Sequence, residues 1–146
     1  METTDKSAFI KENGVYVSTP QGKSMLPFIR GGRDVVTVLP LSGDARKYDV
    51  ILYEKPNGTN VMHRVLRVRE NDYFVRGDNC YYNESIPKES VLGVISEVLK
   101  DGKKKQNNGA RHMLAVRMWR YCYPVRYLLH GLKALLYRVY RGVFKK

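Results

Sequence analysis

The sequence has few cysteines, no long apolar run and almost no acidic residues near its C-terminal end. Cys80 and Cys122 are far apart and show no metal-ligand spacing, which favours a reducing compartment over a disulfide-stabilised secreted domain. No run of about 18 uncharged apolar residues occurs, so no membrane-spanning helix is expected. Residues 1–12 are polar and mixed in charge, unlike a signal peptide. We therefore expect a cytoplasmic protein, with peripheral attachment to a membrane left open.

The formal net charge of +12 is distributed unevenly along the 146 residues. Residues 1–99 hold 13 Lys/Arg and 13 Asp/Glu, whereas residues 100–146 hold 13 Lys/Arg and a single acid, Asp101. A chain of this length supports one modest hydrophobic core. We predict a neutral domain over residues 1–100, a linker over 101–110 and a basic tail over 111–146.

Short β-branched segments separated by turn residues predict that the neutral domain is mainly β. The Asn57-Gly58 pair predicts a hairpin between two of these strands, and residues 80–90 read as a loop. The predicted strands cover residues 15–18, 35–39, 49–55, 61–69, 73–75 and 91–98.

The tail changes to a helical period. Pro124 separates a helix over about residues 112–123 from a longer one. In the longer helix, leucines and valines fall on one face, and basic residues such as Arg126 and Lys133 fall on the other. A continuous leucine stripe favours an acidic membrane surface, a partner protein or core packing over nucleic acid.

Three short motifs occur in order in the neutral domain. They are Gln21-Gly22-Lys23-Ser24-Met25-Leu26-Pro27, then His63-Arg64-Val65, then Gly77-Asp78-Asn79. Together they resemble the signal peptidase I family, and more narrowly its endoplasmic-reticulum and archaeal type, which has a histidine where the bacterial type has a lysine. The resemblance covers roughly residues 14–100. Members of that family usually carry a spanning helix before the serine motif, and this sequence shows none.

The resemblance implies a coiled β-barrel of the signal-peptidase and LexA-like type, followed here by basic amphipathic helices. It also implies a serine endopeptidase that cleaves a peptide or precursor protein. No metal or organic cofactor is implied. Small side chains before the cleaved bond are expected from the resemblance alone.

The chemistry of such an enzyme needs a nucleophile, a base and an acid that orients the base. Ser24 requires a base to remove its proton, and His63 is the only histidine before the tail. A carboxylate then fixes the histidine tautomer. Asp78 lies in the Gly-Asp-Asn motif, and Glu84 stands where the resemblance implies a later acidic residue, so both remain candidates. Asp78 could instead form a salt bridge with Arg64 or Arg76.

We assign Gly22, Lys23 and Met25 to the oxyanion and substrate loop. Backbone N–H groups at Ser24 are expected to stabilise the oxyanion. Signal peptidases commonly add a serine hydroxyl two positions before the nucleophile, where this sequence has Gly22. Losing one such donor costs roughly two to three orders of magnitude in rate, unless Gln21 or Lys23 replaces it.

Three alternatives remain beside the Ser-His peptidase. Lys23 next to Ser24 suggests a Ser-Lys pair, as in LexA-like self-cleaving regulators, although an adjacent side chain of an extended segment points away. Cys80 beside the Gly-Asp-Asn motif is better explained as a partly buried thiol than as a nucleophile. A weak or inactive peptidase fold that only binds peptides is the third alternative.

Overall fold

The computed structural model describes residues 8–10 and 12–144. It is mainly β, as predicted, with helices at the C-terminal end. Residues 8–10 and 12–13 are helical, and eight strands and a 3-10 turn at Lys88–Ser90 then precede two longer helices, α1 and α2. The strands are β1 Tyr16–Ser18, β2 Val35–Leu39, β3 Val50–Glu54, β4 Asn60–Val68, β5 Asp72–Arg76, β6 Glu84–Pro87, β7 Val91–Lys100 and β8 Lys103–Gln106, and the helices are α1 Ala110–Tyr121 and α2 Tyr123–Phe144.

The strands form one antiparallel sheet in the order β1-β2-β7-β3-β4-β5-β6, with β8 paired to β7. β2 is a run of β-branched residues, which suits a pleated and half-buried surface. The predicted hairpin between β3 and β4 is confirmed, because Lys55 N–H donates to the Thr59 carbonyl at 2.9 Å. Gly58 supplies the positive φ of 76° that this turn requires.

The two faces of the central strands bury separate apolar clusters. Alternating residues of β3 show this directly, because Val50 and Leu52 enter one cluster whereas Ile51 and Tyr53 enter the other. The first cluster also holds residues of the serine motif and of β2, β7 and the N-terminal segment: Ile10, Met25, Ile29, Val36, Val38, Ile95 and Val98. The second holds Ala45, Val65, Tyr73, Val75 and Ile86. The serine motif is therefore anchored in the core rather than attached to its surface.

Two segments differ from the sequence-based expectation. The loop predicted over residues 80–90 is wrong in its second half, where β6 pairs with β5 in a register that places Glu84 opposite Val75. The stretch predicted as a linker, 101–110, contains β8, which pairs with the end of β7. β8 consists of three lysines and a glutamine, all exposed, so backbone pairing rather than apolar alternation defines it.

The chain divides into two compact units, residues 1–113 and 114–146. The first contains the whole sheet. The second contains α2, whose second residue is Pro124, because proline is well tolerated in the first turn of a helix. The two expected helices are present and are separated at Cys122, and Pro124 lies in the first turn of the longer one.

Candidate active site

The serine motif forms a tight turn whose buried end is Met25. Met25 is 5% exposed, and its carbonyl accepts the backbone N–H groups of Phe28 at 3.0 Å and Ile29 at 2.9 Å. Ser24 precedes this anchor and is only partly buried. A nucleophile in this position is held by the core and still reaches the surface.

Ser24 lies on the wall of a cleft of about 480 Å³ within the first unit. Its apolar lining includes Val38, Leu52 and Met62 from the side of the first cluster, and β1 contributes Tyr16 and Ser18. A mostly apolar cleft with a few polar groups at its edge suits a side chain of a bound peptide.

The Gly-Asp-Asn motif holds the serine turn against the histidine strand. Asn79 donates its backbone N–H to the Ser24 carbonyl at 2.8 Å and its side-chain Nδ2 to the Lys23 carbonyl at 3.3 Å. Gly77 lies between the two motifs, because a Cβ placed there would be 2.7 Å from the Ser24 carbonyl oxygen and 3.1 Å from Cδ2 of His63. Only glycine permits this approach, and it brings the Ser24 backbone and the His63 ring to one point.

Asp78 is committed to Arg64 in a buried ion pair. Arg64 Nε and Nη2 donate to the two carboxylate oxygens of Asp78, each at 2.7 Å, and the side chains are 0% and 3% exposed. Arg64 also donates to the Tyr48 carbonyl at 2.8 Å, and its guanidinium lies over the Phe28 ring at 5.3 Å. Asp78 thereby fixes the residue that follows His63, and the salt bridge considered as an alternative role for it is present.

Glu84 is the acid that reaches the histidine. Its Oε2 lies 3.1 Å from Nδ1 of His63, and Tyr53 Oη lies 3.0 Å from the same nitrogen. Tyr53 donates to Oε2 of Glu84 at 2.6 Å, and Lys55 pairs with the other oxygen, Oε1. Of the two candidate acids, Glu84 therefore has the contacts of an orienting residue.

These contacts decide which nitrogen of His63 carries the proton. Tyr53 has a single phenolic proton, and this proton lies in the short bond to Glu84. The oxygens facing Nδ1 are then acceptors, so Nδ1 carries the hydrogen and Nε2 is the free base. Cδ2, the carbon adjacent to Nε2, is the ring atom that comes closest to a Cβ placed at Gly77.

The electrostatic surroundings keep His63 neutral and Glu84 charged. Burial lowers the pKa of His63 below its ordinary 6.5, Glu84 opposes this shift, and Lys55 adds to it. Burial alone raises the pKa of Glu84, but the bonds from Lys55 and Tyr53 outweigh it, and the net pKa is lowered. Burial, followed by Glu84, raises the pKa of Tyr53, which stays a proton donor.

The oxyanion side of the site has a backbone constraint at Gly22. Its φ is 87°, in the left-handed region, and no atom lies within 4 Å of a Cβ placed there. A serine at this position would have space but a strained backbone. The neighbouring Lys23 is exposed, so its side chain is not enclosed beside Ser24.

Cys80 lies beside Gly77 but has the surroundings of a structural thiol. Burial raises its pKa, so the thiolate needed for nucleophilic attack is disfavoured. Among the residues described, no group of three or more His, Cys, Asp or Glu side chains is arranged to hold a metal ion.

Two residues of the site were missed by sequence reasoning, Tyr53 and Lys55. Their signal was present in the strand pattern, because Ile51 pairs with His63 and positions 51 and 53 share a face. Tyr53 is therefore the diagonal neighbour of His63, and Lys55, two positions further on, pairs with Glu84. Neither residue belongs to one of the three motifs, so the sequence alone did not mark them.

Comparison of the chain with protein-family models finds no match, and neither does comparison with curated protein sequences.

Proposed function

We propose that this protein is a serine endopeptidase in which Ser24 is the nucleophile, His63 the general base and Glu84 the residue that orients the base. The observation that carries the proposal is the environment of His63. Nδ1 is tied to Tyr53 and Glu84, and the opposite side of the ring meets the Ser24 backbone at Gly77. A histidine that only fills the core would not require a charged acid on one side of its ring and a serine turn on the other.

The reaction follows from this arrangement. Nε2 of His63 takes the proton of Ser24 as Oγ attacks the peptide carbonyl. Glu84, with its charge held by Lys55, stabilises the imidazolium that forms. The imidazolium returns the proton to the leaving amine, which departs and leaves an acyl-enzyme. A water molecule then gives a proton to His63 and attacks the ester, and the imidazolium returns that proton to Oγ of Ser24 as the ester bond breaks and the carboxyl product leaves.

A coiled sheet of the signal-peptidase and LexA-like type is part of the proposal. In a flat sheet β3 and β6 would be about 14 Å apart, three strand spacings of about 4.8 Å. Tyr53 on β3 nevertheless bonds Glu84 on β6 at 2.6 Å. Strong curling of the sheet toward this face accounts for the contact.

An extended peptide is the substrate that fits the cleft. β1 stands at the end of the sheet order and borders the cleft through Tyr16 and Ser18. A strand of substrate can pair with such an edge and place alternate side chains into the apolar cleft. A precursor protein with an exposed extended segment is therefore the proposed substrate class.

A second candidate is a peptide-binding module that does not cleave. Gly22 offers no side-chain donor to an oxyanion, and its backbone opposes a replacement. Binding would then use the same cleft and β1 edge without turnover.

Labelling with a fluorophosphonate separates the two candidates. We expect the full chain to be labelled and Ser24→Ala to be unlabelled. Ser18→Ala is the matched control, because Ser18 also lines the cleft, and it should be labelled like the parent. Labelling that persists in Ser24→Ala would remove Ser24 as the nucleophile. A parent chain that binds extended peptides but neither reacts nor cleaves would establish the binding module.

A further inference from the structure

α2 carries an exposed apolar stripe that is not part of the proposed peptidase site. The stripe consists of side chains that are each more than half exposed: Leu128, Leu129, Leu132, Leu135, Leu136 and Val139. Leu128 is the most open, at 72%. Large apolar side chains left in water in such a row indicate a surface that is covered in use.

The stripe and the charges of α2 lie on opposite sides of the helix. At 100° per residue the stripe falls within an arc of roughly 120°, and Arg126, Lys133, Arg138 and Arg141 fall on the other side. The stripe runs over the 12 residues from Leu128 to Val139, or about 18 Å of the helix, so it is a band of three turns rather than a small patch. None of the helices in the described part of the chain has the length and apolar content needed to cross a membrane.

The charge of this unit decides what can cover the stripe. From residue 114 to the end the sequence has eight Lys/Arg and no Asp or Glu. A second copy packed stripe against stripe would leave the cations of both helices in water, with no acid of this unit to pair with them. An anionic surface is the complementary partner, because it attracts the cations while the stripe leaves water.

We propose that α2 docks the protein on an anionic phospholipid bilayer, with the leucine stripe in the acyl boundary and the cations among the headgroups. A bilayer accepts the whole band without a matching register, and it suits tyrosines at the rim. Tyr140 falls about 20° beyond the edge of the stripe at 100° per residue, and it is 57% exposed. The inference is independent of the peptidase activity, since no residue of the site belongs to α2.

Sedimentation of the full chain with vesicles tests this proposal. We expect it to bind vesicles of phosphatidylcholine mixed with phosphatidylserine at least about tenfold more tightly than vesicles of phosphatidylcholine alone. Added potassium chloride should weaken the binding, because it screens the surface potential. Equal binding to the two kinds of vesicle, or none to either, would overturn the proposal.

Two substitutions with the same charge change then separate the faces of α2. Ala134→Asp lies on the basic side and should weaken binding about fivefold through charge alone. Leu132→Asp lies in the stripe and should weaken it by roughly a further tenfold or more, because a leucine leaves the acyl boundary. Circular dichroism checks that both variants keep their helix. If the two variants bind alike, the stripe is not the inserted face and the proposal fails.

The same samples also distinguish two other partners that could cover the stripe. Self-association of the parent, abolished by Leu132→Asp and present without vesicle binding, would identify a second copy instead. Binding to polyglutamate as tight as to the acidic vesicles, and unaffected by Leu132→Asp, would identify an acidic macromolecule. Either result overturns the bilayer as the occupant.

Discussion

At the scale of residues, the site separates two carboxylates that the sequence left equivalent. Asp78 and Glu84 are six positions apart, and what distinguishes them is the set of neighbours that the fold supplies. Arg64 occupies both oxygens of Asp78, whereas Tyr53, Lys55 and His63 surround those of Glu84. One acid therefore stabilises the fold and the other serves the histidine.

Amide substitutions test this division. Glu84→Gln should lower kcat by roughly two to four orders of magnitude, because His63 loses the charge that stabilises its imidazolium. Asp78→Asn should instead lower the free energy of unfolding by about 3–5 kcal/mol, since Arg64 is left buried without its counter-charge. Peptide cleavage and urea unfolding measure the two effects. A fully active Glu84→Gln variant would remove Glu84 from the mechanism.

The pH profile of cleavage should reflect the lowered pKa of His63. Activity rises with pH as His63 loses its proton, and burial moves the pKa of this step below 6.5. The midpoint of kcat/KM should therefore lie below pH 6.5. Lys55→Met should move it upward, because a nearby positive charge that lowers the pKa of His63 is lost.

Lys88→Met is the control for that shift, since Lys88 pairs with Asp44 at 2.8 Å and is not among the groups that act on His63. Its profile should match that of the parent. A midpoint unmoved by Lys55→Met would show that the lysine does not act on the base. Activity that keeps climbing past about pH 9 would indicate a lysine as the base.

At the scale of elements, the sequence predicted six of the eight strands along the chain and missed two, β6 and β8. The residues of β2 and β4 are Cβ-branched or alternate between apolar and polar, so the sequence predicts that these strands are partly buried. β6 has one buried side chain, Ile86, and β8 has none, so neither gives an apolar period. The missed signal for β8 was its turn, where Asp101 and Gly102 both take positive φ, 48° and 76°, as a tight hairpin requires.

The site was predictable to a similar degree. Ser24 and His63 follow from short motifs, and the structure brings both to Gly77. The choice of Glu84 could not be made from the sequence, because it depends on β6, which was predicted as a loop, and on the contact between Glu84 and Tyr53. Long-range contacts of this kind leave no local pattern.

Gly77 provides a direct test of how the motifs are joined. Gly77→Ala should lower kcat/KM by about 100-fold, because its methyl group would meet the Ser24 carbonyl at 2.7 Å and force the serine turn away from His63. Gly109→Ala is the control, since its nearest atom lies at 3.7 Å. Activity should be measured together with the urea midpoint. Full activity in Gly77→Ala would mean that Ser24 and His63 do not depend on this contact.

At the scale of the whole molecule, the candidate site and the excess of positive charge lie in different parts of the chain. Every residue assigned to the site lies before residue 85, in a stretch whose charges nearly cancel, whereas α2 has only basic charges. The division suggests that α2 can be removed without changing the site. A truncated chain must keep Asn107. This residue is 4% exposed, and its backbone N–H donates to the Ser96 carbonyl at 2.9 Å.

A chain ending at Tyr121, the last residue of α1, should therefore keep the urea midpoint and the fluorophosphonate reactivity of the full protein, and should cleave a short soluble peptide at the same rate. A chain ending at Lys105 should be less stable by about 1–3 kcal/mol, because it loses Asn107 and leaves buried carbonyls of β7 unpaired. Denaturation curves of the three chains decide the matter. If the chain ending at Tyr121 unfolds or aggregates while the full protein is stable, α2 is required for the fold. The prediction that α2 can be removed without changing the site is then wrong.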